Sequence, residues 1–154
     1  MSSTYDPMIS DIDRATLDAV ACSNPHHFYG AHEEEAAGGT VFRTRQPAAD
    51  LVSVRIGGVD YPLECRGSEI WAGIVEMTDI ADYRLVIHYP DGCTRIVADP
   101  YRFLPTVHEL DEYLIGEGRH EELWKSLGAH IRTYTTPDGE VTGVSFACLL
   151  YTSD

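Results

Sequence analysis

The sequence predicts an all-β fold: an immunoglobulin-like β-sandwich with an N-terminal helix and a short two-helix connector, followed by the first strands of a truncated second β-sandwich. Two observations carry this. Between residues 40 and 98 the apolar residues recur with a period of two, in short runs separated by turn residues. On both flanks of that region the period changes to that of a helix.

The first segment, residues 1–25, reads as a helix. Ile9, Ile12, Thr16 and Val20 fall at helical spacing, and Ser10 or Asp11 is available as a cap. Asn24-Pro25 ends it, because a residue before proline is pushed out of the helical region. Residues 26–107 form the predicted sandwich domain. Its opening stretch, His26 to Gly39, is polar and reads as a loop. Then Val41, Arg43 and Arg45 alternate with Phe42, Thr44 and Gln46 until Pro47. Val52, Val54 and Ile56 lead through Gly57-Gly58, a hairpin-type turn, into a strand over Val59 to Glu64. Ile70 to Glu76 is a further apolar run. Tyr83, Leu85, Ile87 and Tyr89 alternate, Pro90-Asp91-Gly92 turns the chain, and Thr94 to Val97 returns it.

Residues 108–128 form the predicted helical connector. Leu110 and Leu114 sit four apart, and His120, Leu123, Trp124 and Leu127 make a helical stripe that Gly128 stops. Gly116 and Gly118 divide the segment into two helices. Residues 129–147 hold two strands, Ala129 to Thr135 and Val141 to Ala147, joined by Pro137-Asp138-Gly139 and without obvious partners in the chain. They read as the start of a second β-domain. The last seven residues, 148–154, resemble the in-frame translation of a sequencing-library adapter and are expected to be foreign to the natural chain.

Composition narrows the function classes. Eleven basic against 25 acidic residues leave a net charge of −14, which repels nucleic acid and anionic membrane surfaces. A neutral partner such as a polysaccharide is compatible with that charge, and so is plain solubility. No apolar run approaches the roughly 20 residues of a membrane span, and the N-terminus lacks the features of a secretory signal. The four cysteines, Cys22, Cys65, Cys93 and Cys148, form no C-x-x-C pair and read as reduced thiols of a cytoplasmic protein.

Several local patterns invite chemistry. His26, His27 and His32 lie near Glu33, Glu34 and Glu35, residue types that bind zinc-like ions, but their spacing matches no metal signature and a solvated acidic loop is the simpler reading. Cysteine–histidine catalysis has no local mark of a nucleophile. Among 25 carboxylates a close pair is certain by chance, so their number says nothing about catalysis. Trp71, Tyr61, Tyr83, Tyr89 and Tyr101 have faces on which a sugar ring can stack, although core packing suits most of them. Trp71 alternates with Ile70 and Ala72, so it is the ring to face water if one side of that strand does.

Asp99-Pro100-Tyr101-Arg102-Phe103, Leu110-Asp111, Gly116-Glu117-Gly118-Arg119-His120, Leu123-Trp124 and Leu127-Gly128-Ala129-His130 together resemble the N-terminal region of bacterial 1,4-α-glucan (glycogen) branching enzymes. The loop from Asn24 to His32 is also similar, as are Gly143, Ser145, Phe146 and Ala147 at the start of that family's second module. The likeness covers about residues 8–147; Ala98 stands where many members have a second aspartate, and the usual V-W-A-P-type continuation is missing at Cys148. The resemblance implies a non-catalytic β-domain ahead of a carbohydrate-binding module and a catalytic barrel. It implies α-glucan or glycogen as partner, with the barrel of the same chain as the other. The family's catalytic carboxylates lie on the barrel, so no residue here inherits their roles. The rivals are a stand-alone glucan-binding module and a purely structural domain. Physically, Asp99-Pro100 favours a turn after a strand, Tyr101 and Phe103 are suited to packing the connector onto the sandwich, Arg102 to pairing with a carboxylate, and Trp124 to core or inter-domain packing. Trp71 and Tyr101 are the candidates for glucan contact.

Overall fold

The computed structural model describes residues 9, 24–80, 82–136 and 139–148. The helix expected over residues 1–25 lies outside them, except for Ile9, Asn24 and Pro25. So does most of the segment read as foreign, from which only Cys148 is described. The chain divides into two compact units, the first ending at Phe103 and the second beginning at Leu104, a few residues before the boundary placed at 107 from the sequence.

The first unit is an antiparallel β-sandwich. One sheet has the order β1 (Gly30–Glu34), β2 (Gly39–Arg45), β6 (Ile70–Val75), β5 (Glu64–Cys65). The other has β4 (Val59–Pro62), β3 (Leu51–Ile56), β7 (Arg84–His88), β8 (Thr94–Val97). Phe42, Trp71 and Val75 from the first sheet meet Val52, Val54, Leu85 and Ile87 from the second in one buried cluster, which is why the alternating apolar residues pair into two layers.

Three local outcomes differ from the sequence reading. The polar stretch taken as a loop contains β1, paired with β2 from Gly30↔Arg43 to Glu34↔Gly39. An edge strand tolerates polar side chains, because its exposed face meets water. Gly38, at φ 74°, supplies the left-handed turn that closes this hairpin. At Gly39 a Cβ would stand 2.2 Å from the Val75 carbonyl oxygen, so only glycine lets β2 approach β6 there. The run from Val59 to Glu64 is two strands in different sheets. The chain crosses between them at Leu63, which is 3% exposed and donates its N–H to the Val52 carbonyl at 2.9 Å.

The third outcome concerns β6. It alternates, but neither side faces water. Trp71 is the register partner of Thr44 and points into the sandwich, where it is 7% exposed. Ile70 turns to the outer face and joins a second cluster with Ile9, Phe28 and Tyr29. The water-facing side imagined for Trp71 is therefore taken up by residues from before β1. Arg43 is covered on the same outer face, with its guanidinium 5.4 Å from the Phe28 ring centroid and 2.6 Å from Glu34.

The second unit contains α1 (Glu109–Gly116), α2 (Leu123–Ser126), β9 (Gly128–Thr136) and β10 (Gly139–Ala147). The two strands pair with each other, from Gly128↔Ala147 to Thr136↔Gly139, and with no further strand among the described residues. Ile131 faces Val144, and Phe146 lies beside Ala129 on the same side of the hairpin. Ile131, Val144 and Phe146 are 80%, 67% and 71% exposed. The stripe from His120 to Leu127 is shorter than expected as a helix, because α2 is only one turn long.

Phe42→Ala removes a ring that is 1% exposed and packs edge-on against Tyr83. It should cost about 3–5 kcal/mol of stability in urea unfolding followed by tryptophan emission. Gly38→Ala, strained in a left-handed turn but with open space around it, should cost about 1–2 kcal/mol. Gly39→Ala should cost more than Gly38→Ala, since backbone rather than a side chain stands in the way.

Candidate functional site

The residues singled out by the D-P-Y-R-F motif converge where the first unit ends. After β8, Asp99 is extended and Pro100 opens a one-turn 3-10 helix, Pro100–Arg102. Pro100 suits the first position of such a turn because it has no N–H to leave unpaired. The Asp99 Oδ1 accepts the Tyr101 N–H at 3.0 Å, and its Oδ2 accepts the Tyr83 hydroxyl at 2.9 Å. Asp99 is 1% exposed and Tyr83 3%. Burial raises the Asp99 carboxyl above its ordinary range, and the two hydrogen bonds only partly offset this. Burial, and then the adjacent Asp99 charge, push the Tyr83 phenol far above its usual range. At neutral pH Tyr83 is therefore a fixed donor.

Arg102 forms a largely buried ion pair with Asp82 and reaches the Tyr83 carbonyl at 3.4 Å. Its guanidinium carbon lies 5.5 Å from the Phe103 ring centroid. Tyr101 stacks between His26, edge-on at 5.1 Å, and Tyr29, tilted at 5.1 Å. His26 donates from Nε2 to the Phe103 carbonyl at 3.1 Å. Gly30, at φ 102°, lies so close that a Cβ would come within 3.2 Å of the Tyr101 Cβ. The motif is thus a clasp between the end of the unit and residues 26–30. Within the first unit, the ring of Tyr101 packs on His26 and Tyr29, from the segment before β1.

The other candidates disperse. His32 donates to the Tyr29 carbonyl at 3.1 Å, Glu34 holds Arg43, and Glu33 accepts the Asp79 N–H at 2.8 Å. His27 is exposed. Among the described residues no group of three or more His, Cys, Asp or Glu side chains gathers to hold a metal ion. Cys65, Cys93 and Cys148 are exposed free thiols, and Cys22 lies outside the described residues. Tyr61 packs against the sandwich core, and Tyr89 lies under the Arg95 guanidinium at 5.7 Å.

In the second unit the motif residues collect around Asp111. Its Oδ2 accepts the His108 N–H at 2.9 Å, a cap on the first turn of α1. Its Oδ1 accepts both His120 Nε2–H at 2.7 Å and Ser126 Oγ–H at 3.0 Å. Histidine, serine and aspartate meet here without forming a triad, because serine and histidine donate to the same carboxylate oxygen and not one to the other. These bonds, His120 foremost, hold the Asp111 carboxyl at about 2. Gly116 ends α1, and Gly118, at φ 65°, turns the chain toward His120. Gly128 opens β9 at φ 96°, and His130 donates to the Leu127 carbonyl at 2.9 Å. Trp124 is 68% exposed, with Lys125 Nζ 5.4 Å from its ring, so within its own unit it is not a core residue.

Sequence reasoning missed the partners: Tyr83 and Asp82 for the motif, His26 for Tyr101, and Ser126 for Asp111. Only Asp111 carried a local signal, an acidic residue three positions after the N-cap His108.

The chain matches the family described as the N-terminal domain of the alpha-1,4-glucan branching enzyme GlgB over residues 10–101. The 1,4-alpha-glucan branching enzyme GlgB of Nocardia farcinica is 50% identical over 141 residues, 92% of this chain and 19% of that protein. That of Rhodococcus jostii is 49% identical over 138 residues, 88% of this chain and 19% of that protein. That of Corynebacterium glutamicum is 45% identical over 147 residues, 93% of this chain and 20% of that protein. The chain therefore spans about one fifth of the length of these curated relatives.

Tyr83→Phe leaves the buried Asp99 with one hydrogen bond fewer and should cost about 1–3 kcal/mol in chemical denaturation, with the fold retained. Asp111 has a folded-state pKa below its unfolded value near 3.9, so its contribution is complete above about pH 4 and lost as pH falls through about 2. A carbon-13 titration of the Asp111 carboxyl should show a midpoint near 2, and Asp111→Asn should remove that acid-dependent component of stability.

Proposed function

Because the chain belongs to the family of the N-terminal domain of the alpha-1,4-glucan branching enzyme GlgB, we propose that it forms the non-catalytic leading part of a 1,4-alpha-glucan branching enzyme. The observation that carries this reading is the coincidence of the matched residues, 10–101, with the first unit, which closes at the clasp of Asp99 to Phe103. The parent enzyme, of the α-amylase-like class, would cleave an α-1,4 linkage, hold the segment covalently and pass it to a 6-hydroxyl to make an α-1,6 branch of glycogen. Such retaining chemistry uses two carboxyl groups about 5 Å apart, one as nucleophile and one as acid and base, and needs no metal or organic cofactor. We assign neither role to this chain. Asp82, Asp99 and Asp111 each hold a structural partner, and both catalytic carboxylates belong to the barrel of the same enzyme.

The second unit fits the opening of a carbohydrate-binding-module-like β-sandwich. The apolar side of the β9–β10 hairpin, with Ile131, Val144 and Phe146 exposed, supports this, because a two-stranded sheet is at best marginally stable without a covering layer. The partners of the whole enzyme are then α-glucan and its own barrel, in the cytoplasm. No helix among the described residues is long and apolar enough to cross a membrane. The net charge of −14 disfavours nucleic acid.

Within that enzyme the first unit either positions glucan, influencing the transferred chain length, or serves structure alone. The burial of Trp71 and the engagement of Tyr101 between two rings favour the structural role. Electrophoresis of the chain through glycogen-containing gel should therefore give unretarded migration, and retardation lost on Tyr101→Ala would instead assign glucan contact to the clasp. Amylose incubated with this chain should keep its iodine colour; fading would overturn the non-catalytic assignment.

A further inference from the structure

We draw no further inference here: the strongest candidate, the apolar face of the β9–β10 hairpin with Ile131, Val144 and Phe146, belongs to the second sandwich already proposed, and nothing in the structure shows what else covers it.

Discussion

The first unit depends on one buried carboxylate. Asp99 sits at the end of the sandwich, almost out of contact with water, and its carboxyl is accommodated there because a phenol and a backbone N–H both point at it. Hydrogen bonds to a charged group contribute about 1.5–3 kcal/mol each, whereas a buried charge stripped of partners is strongly destabilising. The local backbone has little freedom as a result. Tyr101 must place its N–H over Asp99, and this presents its ring to His26 and Tyr29. Arg102, next in line, then meets Asp82. One carboxylate therefore couples the end of β8, the entry to β7 and the segment before β1.

That coupling explains where the aromatic side chains go. A sandwich usually leaves the outer face of each sheet to water, which is the premise for seeking sugar platforms on strands. Here Phe28, Tyr29 and Ile70 build a second apolar cluster on the outer face of the first sheet, with Tyr101 packed against it. Both faces of β2 are buried up to its last residue. Aromatics that look like binding surfaces in a strand pattern are consumed as packing.

The polar clusters tell the same story. Around β1, His26 and His32 donate to backbone carbonyls, Glu34 holds an arginine and Glu33 accepts a loop N–H; the partners of His26 and Glu33 lie far away in sequence. Around Asp111, a histidine and a serine share one oxygen, which locks the helical turn after Gly118 to the start of α1 and leaves no imidazole facing the serine. Residue types common in catalysis are here engaged as struts, in keeping with a family whose chemistry we place elsewhere.

The sequence by itself determined most of the strand and turn punctuation after residue 39, the sandwich class and the family. Alternation such as Val52–Ile56 and turns such as Gly57-Gly58 are local, and the backbone obeys them wherever the strand ends up. The D-P-Y-R-F run also announced a turn through its own proline. What it left open was every decision that needs a distant partner. Whether Trp71 meets water depends on the facing sheet, whose Val52, Val54, Leu85 and Ile87 close over it. The edge strand β1 exists because β2 offers it a ladder, and the break at Leu63 exists because the core has room for that side chain between two sheets. Periodicity tells which side chains share a face. Which face is dry, and which carboxyl group finds partners there, is settled only when the remote segments close over it, because burial and pairing are properties of the assembled structure.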